Sequence, residues 1–154
     1  MEGVRIRGAT PADVERIAGY QEAMALETEG RALDAAVVRA GVGAVFDDPS
    51  RGRYLVVEVD GDAVGSMLLT TEWSDWRNGV FWWIQSVYLE PAARGRGAFG
   101  ALYRAVFAEA RATEGVVGLR LYVEAENEHA QRVYSGLGME ATSYRFFEAD
   151  LREL

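Results

Sequence analysis

The run Gln85-Ser86-Val87-Tyr88-Leu89-Glu90-Pro91-Ala92-Ala93-Arg94-Gly95-Arg96-Gly97-Ala98-Phe99-Gly100 reads as a buried strand that passes through a glycine and arginine loop into a helix. Amides at a helix start have no intrahelical acceptor, glycines let a ligand approach the main chain, and the helix dipole favours an anion there. Arg94 and Arg96 add charge that pairs with phosphate oxygens. A phosphate-bearing cofactor is therefore expected at this loop. The strand before it, Val80 to Leu89, is apolar on both sides, with Phe81, Trp83, Val87 and Leu89 on one face and Trp82, Ile84 and Tyr88 on the other. That pattern predicts a strand in the middle of a sheet.

The rest of the chain supplies neighbours for that strand. Val4 to Arg7 alternates briefly, and Thr10-Pro11-Ala12-Asp13 carries the cap, first-turn proline and acid that start a helix, with Val14, Ile17 and Ala18 on its buried stripe. A second helical stretch through Leu33, Val37 and Ala40 closes at Asp47-Asp48-Pro49. Tyr54 to Val59 and Ala63 to Thr71 are apolar runs around Asp60-Gly61-Asp62, which predicts an antiparallel hairpin. Asn78-Gly79 is a further turn signal. Beyond the loop, Ala98 to Ala112 predicts a helix, and Leu119, Leu121 and Val123 alternate with polar residues as a strand. A strand reached through a crossover helix pairs parallel to the first, with a right-handed connection. Asn127 caps a last helix that ends at Leu137-Gly138, and Tyr144 to Leu151 predicts a final strand or short hairpin. The expectation is a mixed α/β fold of one domain, residues 1–154, with a mostly antiparallel sheet and one parallel pair flanked by helices.

Composition removes several chemistries. A net charge of −8 argues against a nucleic-acid binder, which needs a basic face. Without cysteine there is no thiolate metal site or cysteine nucleophile, and His129 alone makes neither a histidine metal site nor a serine triad. No metal, nucleic acid or membrane partner is expected, and the default location is the cytoplasm. Gly95-Arg96-Gly97-Ala98-Phe99-Gly100 matches the dinucleotide fingerprint literally, and Glu124 sits where a ribose-binding acid is sought. Five residues separate the strand from the first glycine, however, and the hairpin predicts antiparallel neighbours, so the dinucleotide reading fits poorly.

Val87-Tyr88-Leu89-Glu90-Pro91-Ala92-Ala93-Arg94-Gly95-Arg96-Gly97-Ala98 resembles the acetyl-CoA motif of the GNAT superfamily of N-acetyltransferases. Its core is Arg or Gln, two residues, Gly, one residue, then Gly or Ala; Arg94, Gly97 and Phe99 occupy those places. Asn127, Ala130, Tyr134 and Leu137-Gly138-Met139 resemble the family's second signature, and the order of elements agrees throughout. Phe99 departs from the usual small residue, with Gly100 beside it to offer space.

The resemblance implies a GNAT-like sheet whose parallel central pair splays apart. It implies acetyl-CoA as cosubstrate, with the pyrophosphate on the amides from Gly95 through Ala98 to Phe99, and Arg94 and Arg96 close by. The pantetheine arm would pair with main-chain groups of Val87 and Leu89, and Asn127 would lie near it. The reaction would be direct attack of a primary amine, on a small molecule or a peptide, at the thioester. Tyr134 would protonate the leaving sulfur, although packing and capping explain Tyr134 and Asn127 as residues in their own right. Acceptor-site acids are sought at Glu29 and Glu72, with Glu27 and a water-orienting Gln85 as alternatives. Trp73, Trp76, Trp82 and Trp83 would either wall a cation pocket or pack the core or a homodimer surface. The rival function is a non-catalytic acyl-CoA-binding regulatory or interaction module.

Overall fold

A computed structural model describes residues 3–152. Internal contacts group the chain into two compact units with the boundary between Leu121 and Tyr122. The first unit runs β1 (Val4–Gly8), α1 (Val14–Glu29), α2 (Ala35–Asp47), β2 (Arg53–Val59), β3 (Asp62–Ser74), β4 (Gly79–Leu89), α3 (Ala98–Ala112) and β5 (Val116–Arg120). Its sheet has the order β1-β2-β3-β4-β5, antiparallel except for the β4–β5 pair. The mixed fold with one parallel pair is the one expected. A single parallel pair is too small a platform for the dinucleotide fold.

Local chemistry fixes the element ends. Asp13 accepts from the Thr10 amide at 2.8 Å and takes Arg7 in two 2.9 Å hydrogen bonds, tying β1 to the start of α1. The Arg7 guanidinium holds the buried Asp13 carboxyl below its ordinary pKa. α1 stops at Gly30, which takes a left-handed φ of 61° that a side chain would strain. Asp60 and Gly61, both at positive φ, make the β2–β3 turn.

Tyr54 and Val56 of β2 pack with Ile17, Ala18 and Val42, so α1 and α2 cover one face of the sheet. Arg53 points to the opposite face and pairs with Glu109 of α3 at 2.8 Å, which places α3 there with Leu102 and Val106 fully buried.

Two expectations within this unit need correction. β4 does not alternate regularly: the register slips at Ser86, whose φ is 49°, so Gln85 opposes Leu68 and Tyr88 opposes Ser66. This bulge moves Tyr88 onto the α1 face with Phe81, Trp83 and Gln85. β5 is also displaced toward the N-terminus; it ends at Arg120, and Tyr122 and Val123 lie beyond it.

The second unit holds α4 (Glu128–Gly136), whose Ala130 amide donates to Asn127 Oδ1 at 3.1 Å. The strand expected over Tyr144 to Leu151 does not form. Those residues have no ladder partner among the described residues, and Phe147 and Leu151 are 90% and 84% exposed, so the alternating pattern there buries little. Phe146 stacks on Tyr122 with centroids 4.9 Å apart. Among the described residues no helix is long and apolar enough to cross a membrane, and no acidic, histidine or cysteine group could hold a metal.

Candidate active site

β4 changes character along its length. From Val80 to Trp83 it is paired on both sides, with β3 and with β5. The β5 ladder ends at the Trp83–Arg120 pair, and from Ile84 to Leu89 β3 is the only partner strand among the described residues. The main-chain groups of Val87 and Leu89 therefore lie in a half-strand with one open side. Buried or half-buried strand edges require partners, and an amide-bearing chain is the natural one. Ser86 holds the bend that marks this half.

The strand leads into a turn at Pro91–Ala93 and then into the glycine loop. Gly95 and Gly97 have φ of 71° and 80°, and an added Cβ at either would meet nothing within 4 Å. Glycine is required there by backbone conformation, and the surface above it stays open. Among the described residues the amides of Gly95, Arg96, Gly97 and Ala98 have no backbone acceptor. These donors stand at the N-terminus of α3, where an anion is favoured. Phe99 is half-buried in the first turn of α3. Gly100 does not serve as its space: the vacancy adjoins Arg104, whose guanidinium Nη1 would lie 3.1 Å from a Cβ.

Arg94 is held within the protein. It donates from Nε to the Leu89 carbonyl at 2.9 Å and from Nη2 to Glu27 at 2.6 Å, and lies 5.4 Å from the centre of the Tyr88 ring. Tyr88 donates to Glu27 at 3.4 Å and stacks on Tyr20, whose hydroxyl donates to the Ala63 carbonyl at 3.1 Å and Glu90 at 3.3 Å. Burial, and then the Glu27 charge, raises the Tyr88 pKa. The Arg94 side chain thus braces the loop against α1, while the exposed Arg96 and Arg104 carry charge without an ion pair among the described residues.

The acids are dispersed. Glu27 is bound to Arg94, Glu72 is bound to Arg120 at 2.5 Å, and Glu29 is exposed at the last position of α1. Gln85 donates a short hydrogen bond to Thr70 Oγ1. Trp82 already faces Arg53 at 5.0 Å, and Trp73 and Trp76 are exposed. Within the second unit, Tyr134 lies on α4, and burial raises its pKa above the ordinary tyrosine value.

The sequence reading missed Arg104, the Glu27–Arg94 brace and the Ser86 bulge. Arg104 was legible from i, i+4 spacing to Gly100. The brace spans 67 positions, and the bulge depends on β3 register, so neither leaves a local signal.

Comparison with curated protein sequences gives no match. Among solved structures, the chain is similar to that of a possible acetyltransferase from Clostridium difficile 630, at 40% identity over 97% of this chain and 99% of that one, with a TM-score of 0.89. At the level of fold it is similar to the aminoglycoside N-acetyltransferase AAC(6')-Iy in complex with CoA, at 17% identity over 96% of this chain and 95% of that one (TM-score 0.76). A ribosomal-protein-alanine N-acetyltransferase from Brucella melitensis biovar Abortus 2308 shares the fold at 16% identity, with 96% and 99% of the chains covered (TM-score 0.77). The family model for the acetyltransferase (GNAT) family matches residues 19–139, which include the open half of β4, the glycine loop and α4, and the chain belongs to that family.

Proposed function

We propose that the protein transfers the acetyl group of acetyl-CoA directly to a primary amine on a small molecule or peptide. The observation that carries this reading is the end of β4–β5 pairing at Trp83 and Arg120, which leaves Ile84 to Leu89 with one partner strand on the way to a glycine loop whose amides from Gly95 to Ala98 have no backbone acceptor among the described residues. The amides from Gly95 to Phe99 bind the pyrophosphate, with Arg96 and Arg104 supplying charge and Arg94 keeping the loop in shape through Leu89 and Glu27. Val87 and Leu89 pair with the amides of the pantetheine arm, and Asn127 contributes near that arm. Leu89 does so while its carbonyl also accepts from Arg94.

Held in this way, the thioester carbonyl meets an amine with little entropy left to lose. The new C–N bond forms as the C–S bond breaks; Tyr134 gives its hydroxyl proton to the departing thiolate, and the proton leaving the amine passes to a base. The Tyr134 hydroxyl, whose pKa burial raises, is protonated at neutral pH and so has a proton to give. Glu29 and Glu72 are the acceptor-side acids, Glu72 acting from its pair with Arg120.

Isothermal titration with acetyl-CoA, followed by thiol release across a panel of amines, tests the proposal. Binding in the micromolar range and amine-dependent release are expected, with release reduced at least about tenfold in Tyr134→Phe. Absence of binding at millimolar acetyl-CoA would overturn the reading. Binding without release for any amine would make the protein an acyl-CoA-binding module.

A further inference from the structure

Phe81, Glu72, Gln85 and Arg120 share the α1 side of the sheet, since Glu72 opposes Phe81 across β3–β4 and Gly118 and Arg120 oppose Phe81 and Trp83 across β4–β5. Gly118 leaves room for the Phe81 ring, whose edge carbon would lie 2.8 Å from a Cβ there. Two positions on, the Arg120 guanidinium stacks 3.6 Å from the centre of that ring. A second guanidinium, Arg77, lies 5.1 Å from the same ring.

The charges around Phe81 do not balance. Glu72 pairs with Arg120 at 2.5 Å, and Arg77 has no ion pair among the described residues. Two arginines and one carboxylate leave a net positive spot on a chain of charge −8. Both guanidinia lie over the same aromatic ring, a contact that helps to hold their planar donor forks in position for a bidentate anion such as a carboxylate. Arg120 also closes the β4–β5 ladder. Under the function proposed above, on which this inference rests, that apex is where the acyl end of the cosubstrate arrives.

We infer that Arg77 and Arg120 form an acceptor subsite for a carboxylate, so that the preferred acceptor is an amine that also carries a carboxylate, as a free amino acid does. The acceptor carboxylate takes Arg77 and competes with Glu72 for Arg120, and the displaced Glu72 faces the cationic amine. The same pair of charges on the protein thus matches the opposite pair on an amino acid. A diamine would find one partner and meet repulsion from two arginines.

The test uses amino acids beside their decarboxylated counterparts, lysine with cadaverine and phenylalanine with phenethylamine. Binding to the full chain is followed by saturation-transfer NMR without cofactor, and kcat/KM is measured with acetyl-CoA. The amino acid is expected to bind and to react at least about tenfold better than its amine partner, a preference of about 1.4 kcal/mol. Arg77→Gln should remove that preference without changing the acetyl-CoA Kd, and Glu72→Gln, which frees Arg120 but removes the partner of the amine, should tighten binding of 3-phenylpropionate, which carries the carboxylate without the amine, a gain that loss of a structural contact does not produce. Equal binding of the two partners, stronger binding of the diamine, or an unchanged preference in Arg77→Gln would overturn the subsite. Carboxylate binding without acetyl-CoA binding would instead keep the subsite and reject acetyl transfer, and the converse would reject the subsite alone.

Discussion

The two halves of β4 are built from similar residues and are paired differently. Between Gly79 and Trp83 the strand is clamped: a Cβ on Gly79 would lie 2.4 Å from Val117 and 2.8 Å from the Gly115 carbonyl, and Gly118 is pressed against Phe81. Between Ile84 and Leu89 it has one partner strand, a left-handed Ser86 and a carbonyl captured by Arg94. A sheet normally abolishes open edges because they invite pairing. Here, among the described residues, an interior strand has a partner strand on one side only over half its length, ahead of a helix start of the kind where an anion is favoured. The closed half sets the position of the strand, and the open half with its loop is the part to which the proposed function assigns the cosubstrate.

This division predicts separable effects. The largest should come from Gly97→Val, which forces a β-branched residue to a φ of 80° in the loop. Acetyl-CoA affinity by calorimetry should fall about a hundredfold, close to 2.7 kcal/mol, while the urea midpoint moves much less. In the closed half, Gly79→Ala should do the reverse. The clash with Val117 and the Gly115 carbonyl should lower stability by about 2 kcal/mol in urea unfolding, with the acetyl-CoA Kd of the folded protein unchanged.

Asp13→Asn, remote from both halves in sequence, serves as a control and should cost about 1–2 kcal/mol without altering cofactor affinity. Because the folded Asp13 carboxyl titrates below its ordinary value, its contribution is full above about pH 4. It is lost as pH falls through the lowered folded value, so Asp13→Asn and wild type should converge in stability in acid. The smallest effect is expected at the bulge. Ser86→Gly relieves about 1 kcal/mol of left-handed strain but gains unfolded-state freedom, so its stability should change by no more than about 0.5 kcal/mol.

Much of this arrangement was legible in the chain itself. Asp60-Gly61 and Asn78-Gly79 set the turns, Thr10 with Asp13 set the start of α1, and Gly95 and Gly97 marked the loop, because each acts through its own backbone or near neighbours. The position where β5 stops was not legible. Leu119, Leu121 and Val123 continue the alternation past Arg120, and only the register with β4 ends the ladder. Tyr144 to Leu151 failed for a related reason, since alternation forms a strand only where a neighbour supplies hydrogen bonds. For the acids, residue type suggested chemistry, but their pairing with distant arginines set their state, as Glu27 with Arg94 and Glu72 with Arg120 illustrate.

The central claim is that the open half of β4 and the loop after it form one ligand-binding surface. Backbone amide NMR during titration with acetyl-CoA tests it most directly. The account predicts large shifts and slowed hydrogen exchange at Val87 and from Gly95 to Phe99, with little change from Val80 to Trp83. Saturable binding that leaves Val87 and the loop amides unmoved would contradict it.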